Sequence, residues 1–410
     1  MVGKIDVITF GCRLNSYEGE VIKKILHENN ININNKNIVI FNSCAVTKEA
    51  ERQLRQSIRK VRSEQPEVVI GVVGCAVQVN KDTYINMPEV DFVLGNNSKL
   101  EVGSYTNVKK QNIIIDDVSK LNKLSKHFIS GFENRARAFV QIQNGCDNKC
   151  TFCVTRLARG HSISTPSGQI IEQIKKLTDN GHREIVLVGI DIGDYGKRLD
   201  ENLNLGKLIK KILRETKLER LRVSSMDIAN LDDDLNEALK HEKRLMPHIH
   251  LSLQSGDNMI LKRMLRRHTR EMVLERCHDI IGKRPDTVIG ADLIAGFPTE
   301  TEEMHKNSLK IIEELPITYG HIFPYSERPE TKAALMPQVD KNTRKLRAKE
   351  LRNAATKNLN LLKEKINGTK QKVLVEGNGM GRLENYLQIE IGNDFNGNVG
   401  EIIEMVVNIE

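Results

Sequence analysis

Short apolar runs of strand length alternate with amphipathic segments of helix length along most of the chain. Runs over 4–10, 37–42 and 68–73 are separated by segments over 17–29 and 48–64 in which apolar residues recur at helical spacing. That alternation predicts a parallel sheet with crossover helices. The stretch 98–134 is polar, rich in Lys and Asn, with one apolar run at 113–115, and reads as a connection. Strands then follow over 139–143, 184–188, 220–224, 248–252, 288–293 and 319–323, each trailed by an amphipathic segment. A basic helix over 340–365 leads to strands over 371–376, 386–391 and 401–409, broken at 377–379 and 393–397. The fold class is therefore α/β, closed by a small all-β module. Four segments are expected: an N-terminal parallel-sheet domain over 1–110, a linker over 111–134, a central strand–helix domain over 135–345, and a helical connection with the β domain over 346–410.

At 410 residues the chain exceeds what one core usually organises, which agrees with several domains. No apolar run reaches membrane-spanning length and the first ten residues alternate like a strand, so a cytoplasmic protein with no membrane partner is expected. Seven cysteines, an odd number, in a reducing compartment point to metal or redox chemistry instead of structural disulfides. The net charge of +8 suits a polyanion such as nucleic acid, although a solvated basic surface gives the same total.

Cys12, Cys44 and Cys75 each lie just past an expected strand, in Phe10-Gly11-Cys12, Asn42-Ser43-Cys44 and Val73-Gly74-Cys75. In a parallel sheet those ends share one edge, where ligands bind. Gly11 and Gly74 would let backbone approach a bulky ligand. Any one of these thiols alone reads as a small core residue. Three in register fit an iron–sulfur cluster with one iron not held by protein better than zinc, which would want a fourth ligand that these loops do not offer.

The strand over 139–143 delivers Cys146-Asp147-Asn148-Lys149-Cys150-Thr151-Phe152-Cys153. Three thiolates at this Cys-x3-Cys-x2-Cys spacing can wrap a 4Fe-4S cluster from one loop and leave its fourth iron open; a zinc knuckle is the competing reading. The loop resembles the signature of the radical S-adenosylmethionine (SAM) superfamily. The resemblance implies that Cys146, Cys150 and Cys153 hold the catalytic cluster, that the open iron binds S-adenosyl-L-methionine, and that the six strands form a partial (β/α)6 barrel. It places Phe152 against adenine and makes Gly189, Asp191, Ser225, Asp227, Gln254 and Asp292, all at expected strand ends, candidates for SAM contacts. Glycine and serine there are also ordinary turn residues. Arg266 and Arg267, in a basic run ending His268-Thr269-Arg270, face either RNA phosphate, the SAM carboxylate or solvent. Cys277 reads as core packing.

The three-cysteine domain, the cysteine loop and a tail similar to the TRAM domain, a small RNA-holding barrel, together resemble the methylthiotransferase family over nearly the whole chain. Thr9-Phe10-Gly11-Cys12-Arg13-Leu14-Asn15, with Glu18 and Glu20 after it, and Asn42-Ser43-Cys44-Ala45-Val46-Thr47 are most similar to the group acting on N6-threonylcarbamoyladenosine at position 37 of tRNA. By that resemblance the enzyme uses two SAM molecules and two 4Fe-4S clusters, the N-terminal one on Cys12, Cys44 and Cys75. One SAM supplies a methyl group to a sulfur and the other a radical that activates carbon 2 of the adenine. Arg13 would pair with the threonyl carboxylate. The tRNA anticodon loop, where a single-stranded base is reachable, and an electron donor such as flavodoxin or ferredoxin are the expected partners of a monomer. Isopentenyladenosine in tRNA and an aspartate of a ribosomal protein stay open as substrates, and a zinc-stabilised RNA-binding protein is the non-enzymatic alternative. The chain departs from the family pattern at Val154-Thr155-Arg156-Leu157, which lacks a proline, at His161 and Ile163, which replace basic residues, and at Glu330, which replaces glycine.

Overall fold

Strands β1 (Ile5–Thr9), β2 (Ile38–Ser43) and β3 (Val69–Gly74) lie side by side in parallel, and every residue of β2 and β3 is buried. Burial on both faces is what a near-continuous apolar run encodes in a sheet covered by helices. The computed structural model describes residues 4–31, 33, 35–106, 112–132, 135–392 and 397–409. The chain divides into a first unit of Met1–Ile129, Gln143–Lys149 and Cys153–Thr165, and a second of Ser130–Ile142, Cys150–Phe152 and Pro166–Glu410.

In the first unit, helix α1 (Arg13–Glu28) starts four residues before the expected 17. Its first turn buries Asn15 beside Leu14, and a buried polar residue conceals the apolar stripe. Helix α2 spans Lys48–Glu64, as its pattern predicts, with Thr47 accepting the Ala50 N–H as the cap. Its Leu54 and Ile58 pack with Phe41 and Val72 in the core. Strand β4 (Phe92–Leu94) follows, and the stretch read as a mere connection supplies β5 (Asn112–Ile114), parallel to β4 at the sheet edge. Three residues in a Lys- and Asn-rich setting carry too little alternation to identify a strand, and pairing with β4 decides it.

The second unit begins its sheet with β6 (Arg137–Gln141). The chain then returns to the first unit for the antiparallel pair β7 (Gln143–Asn144) and β8 (Ile163–Ser164). Strands β9 (Glu184–Val188), β10 (Arg220–Val223), β11 (His248–Gln254), β12 (Val288–Ala295) and β13 (Ile317–Pro324) complete the second unit's parallel sheet. They run β6-β9-β10 and β11-β12-β13, joined by parallel bridges Leu221 to Leu245 and Met226 to Leu251, which gives the six strands expected of the partial barrel.

Helix Lys341–Ile366 packs on β13, where Asn358 donates to the Ile317 carbonyl, and leads to the terminal sheet. This sheet is antiparallel with β14 (Lys370–Gly377) flanked by β15 (Met380–Leu383) and β17 (Ile402–Val406), and β16 (Gln388–Glu390) beside β15. No strand is expected at β15, whose Met-Gly-Arg-Leu lacks β-branched residues; residues 393–396 of the expected break lie outside the described residues. The sheet docks at the starts of the barrel strands. Arg222 of β10 donates to the Leu383 and Glu384 carbonyls, and Tyr386 stacks on His248 of β11 at 4.6 Å. The opposite, carboxyl ends remain for chemistry.

Candidate active site

In the first unit Cys44 directly follows β2, Cys75 opens the short helix α3 (Cys75–Val79) after β3, and Cys12 precedes α1. Gly11 has φ +95°, and a Cβ there would come within 2.8 Å of Cys44 Sγ, so glycine is required where the β1 loop crosses that thiol. Burial pushes the Cys44 thiol up to about 12, and the neighbouring Cys75 and Cys12 push it the same way. A thiol whose ionisation is opposed by burial and by neighbouring thiols needs a compensating charge to serve as a ligand.

That charge comes from residues for which the sequence indicates no role. Arg159, at the end of helix α4 (Thr155–Arg159), is buried and grips Glu18 through both nitrogens, at 2.7 and 2.9 Å. Lys99 binds the same carboxylate at 2.7 Å and also Asn42 at 3.1 Å. Burial alone would raise Glu18, but Arg159 and Lys99 hold it down to about 2. Asn15 accepts from Arg159 at 2.5 Å and donates to the Phe10 and Ser43 carbonyls, which ties the guanidinium to the loops bearing Cys12 and Cys44. Asn96 donates to Cys75 Sγ at 3.4 Å and to the Ala158 carbonyl at 2.6 Å, which ties the same helix to the third thiol. Arg13 opens α1 beside Cys12 and is half-buried. Buried Lys, Glu and Arg defy the usual surface assignment; only Glu18, quoted in the opening motif, carried a sequence signal.

The cysteine loop leaves β7 at Gly145, whose φ is +72° and where a Cβ would meet the His161 carbonyl oxygen at 1.8 Å. Cys146 N–H donates to the Gly160 carbonyl, and Asp147 contacts His161 Nδ1 at 2.9 Å, so one departure from the family pattern is occupied by a local polar pair. Cys153 Sγ lies 3.1 Å from Thr155 Oγ1. Cys150–Phe152 belong to the second unit. There Thr151 bonds the Arg263 and Met264 carbonyls, and Phe152 packs edge-on against Phe297 in an apolar cluster with Ile260 and Met264. Cys146 and Cys150 are partly buried and Cys153 is exposed. Three thiols within eight residues, with no disulfide among them, fit an iron–sulfur cluster as a donor set.

Around the carboxyl ends of the second unit's strands, Arg266 donates to Cys150 Sγ at 3.5 Å and to the Ser252 carbonyl, and pairs with Asp227 at 3.0 Å. Asp227 also takes His268 Nδ1 at 2.9 Å. Although burial opposes it, His268 and Arg266 hold the Asp227 carboxyl well below the usual range. Burial and nearby Asp194 instead push Asp191 up to about 6. Arg267 is half-exposed and faces Asp191, Asp194 and Asp227 at 3.5–3.9 Å. Gly189 and Ser225 follow β9 and β10, and Gln254 closes β11 with φ +70°. Asp292, expected at a strand end, lies inside β12, because that strand continues to Ala295. There it meets His250 at 3.1 Å and His321 at 3.4 Å, from the two flanking strands. Cys277 is fully buried, as core packing predicts.

Residues 4–95 match the model of the uncharacterized protein family UPF0004, and residues 140–312 that of the radical SAM superfamily. The threonylcarbamoyladenosine tRNA methylthiotransferase MtaB of Rickettsia prowazekii is 45% identical, with 94% of this chain and 91% of that protein covered. The MtaB of Aquifex aeolicus is 32% identical over 98% of this chain and its whole length. The tRNA-2-methylthio-N(6)-dimethylallyladenosine synthase of a Thermoanaerobacter species is 31% identical, with 90% and 81% covered. Among solved structures, the radical SAM methyltransferase TsrM from Kitasatospora setae superposes with a TM-score of 0.60 at 12% identity, covering 82% of this chain and 77% of that one, a likeness of fold. No helix among the described residues is long and apolar enough to cross a membrane.

Proposed function

Because this chain belongs to the radical SAM tRNA methylthiotransferase family, we propose that it replaces the hydrogen on carbon 2 of N6-threonylcarbamoyladenosine in tRNA with a methylthio group, using two SAM molecules and two 4Fe-4S clusters. The observation that carries the substrate is the 45% identity, over nearly the full length of both chains, to a relative named for threonylcarbamoyladenosine, against 31% to one named for dimethylallyladenosine. The setting is cytoplasmic, with a monomer drawing electrons from a flavodoxin or ferredoxin.

Cys146, Cys150 and Cys153 would hold the cluster that binds SAM, and Cys12, Cys44 and Cys75 the second. Bound there, these groups supply one-electron cleavage of SAM and a sulfur that can be methylated and transferred. The protein's share is positioning. Arg266 donates to the Cys150 sulfur and is itself fixed by Asp227, which His268 holds in turn. SAM would lie along Gly189, Asp191, Ser225, Asp227 and Gln254, with Phe152 at its adenine and Asp292 deeper, between His250 and His321. Arg267, half-exposed at the strand ends, would meet RNA phosphate. Arg13, next to Cys12, offers a bidentate partner to the threonyl carboxylate, which an isopentenyl group would not reward. The terminal antiparallel sheet would hold tRNA in the manner of a TRAM domain.

Anaerobically reconstituted protein, supplied with reductant, SAM and a sulfide source, tests the reading on tRNA bearing threonylcarbamoyladenosine and on tRNA bearing isopentenyladenosine. Nucleoside mass spectrometry is expected to show the methylthio product only in the first. Product only in the second, or on a ribosomal protein, would overturn the substrate.

A further inference from the structure

Glu18, Lys99 and Arg159 have side chains 0%, 0% and 1% exposed. Two cations meet one carboxylate there, and the other groups that bind them, Asn15, Asn42 and Asn144, are neutral. One positive charge is left without a carboxylate among the described residues. A buried charge without an opposite partner is costly, so such a surplus calls for an anion nearby. The neighbouring groups able to become anionic are the thiols. Asn15 links Arg159 to the loops of Cys12 and Cys44, and Asn96 links the helix of Arg159 to Cys75.

We propose that Arg159, Lys99 and Glu18 form a buried electrostatic seat whose net positive charge balances the cluster on Cys12, Cys44 and Cys75 and raises its reduction potential; this rests on the two-cluster reading above. A 4Fe-4S cluster with three thiolate ligands carries one net negative charge when oxidised and two when reduced. The seat's one surplus cation neutralises the first state. Because the seat itself is buried, it favours the second as well, since it attracts the added electron with little screening by water. Asn96 acts in the same direction, because an N–H directed at a ligand sulfur stabilises the reduced cluster. Arg159 is a positioning residue in this scheme. It lies six positions past Cys153, at the end of the helix that follows the cysteine loop, so one segment carries a ligand of one cluster and the counter-charge of the other.

The sign of the effect separates this role from plain structural support. The background is the full chain carrying Cys146→Ala, Cys150→Ala and Cys153→Ala, which leaves only the N-terminal cluster. Iron is counted after anaerobic reconstitution, and the midpoint is read by dye-mediated titration followed by electron paramagnetic resonance. Arg159→Gln and Lys99→Met, which each remove a positive charge, are expected to lower the midpoint. Glu18→Gln, which removes the negative charge, is expected to raise it, and Arg159→Lys to leave it near the parent. Midpoints that stay fixed, or move the same way in all variants at undiminished iron content, overturn the electrostatic seat and leave the two-cluster reading standing. A parent background that binds no iron overturns the two-cluster reading, and the seat with it. Should Arg159→Gln fail to fold, Glu18→Gln and Arg159→Lys decide by themselves: an unmoved midpoint in Glu18→Gln refutes the seat.

Discussion

The two sulfur sites use the same ligand and are built in opposite ways. The loop carrying Cys146, Cys150 and Cys153 gathers its thiols by adjacency along eight residues, starting from Gly145, which directly follows β7 of the β7–β8 pair. Cys12, Cys44 and Cys75 come from three strand ends and meet only because β1, β2 and β3 lie in parallel register. Their charges differ too. Around the loop's Cys150, Arg266 is matched by Asp227, and Arg267 by Asp191 and Asp194. Around the three strand-end thiols, two buried cations face the single carboxylate of Glu18. A site assembled locally can leave its electrostatics to the surroundings, whereas one assembled from distant segments is fixed by the buried charges that join those segments.

The largest test of this contrast removes one site at a time. Without Cys146, Cys150 and Cys153 the reconstituted protein should fall from about eight irons to about four, and SAM cleavage and tRNA methylthiolation should both fall below detection. Without Cys12, Cys44 and Cys75, iron should fall by the same amount and methylthiolation should vanish, yet 5'-deoxyadenosine should still form; loss of both activities would show that the sites do not act separately. Next in size, Glu18→Ala leaves Arg159 and Lys99 buried without a carboxylate partner and should destabilise the protein by roughly 3–5 kcal/mol in urea titrations, while Asp234→Ala, which breaks an exposed pair with Lys210, should leave the transition nearly where it is.

A pH series sharpens the same point on the cluster-free protein. Glu18 is held at about 2 against an ordinary 4.5, so its ionised form stabilises the fold above that range, and the contribution is lost as pH falls from 4.5 toward about 2. Acid unfolding monitored by circular dichroism should therefore be shallower over that window in Glu18→Gln than in the wild type; identical slopes would mean that other carboxylates dominate. The smallest effect is expected at Arg13. Arg13→Met should lower kcat/KM on threonylcarbamoyladenosine tRNA by about tenfold, the worth of one charge-assisted pair, with iron content unchanged.

Much of this was legible in advance. The extent of α2 follows from its apolar period and its Thr47 cap, and β9 from the apolar run Ile185-Val186-Leu187-Val188. The Cys-x3-Cys-x2-Cys loop is visible in its spacing, and the edge on which Cys12, Cys44 and Cys75 emerge follows from their place just past three expected parallel strands. Strands β5 and β15 were not legible, because short segments acquire strand geometry from the neighbours they pair with. The place of Asp292 was missed for a related reason: the strand's end is set by pairing with β13, which continues to Ala295.

What the sequence determined by itself is the local chemistry: a Cys-x3-Cys-x2-Cys loop on a strand, three further thiols at strand ends, and a basic chain fit for a polyanion. Those features depend on residue type and short-range spacing, which a linear sequence displays directly. Only the tertiary structure decided which charges are buried together. Glu18, Lys99 and Arg159 are far apart in the chain, and by type alone each would be assigned to the surface. Packing removed them from water, and in that setting a charge is set by its partners, not by its own preference for solvent.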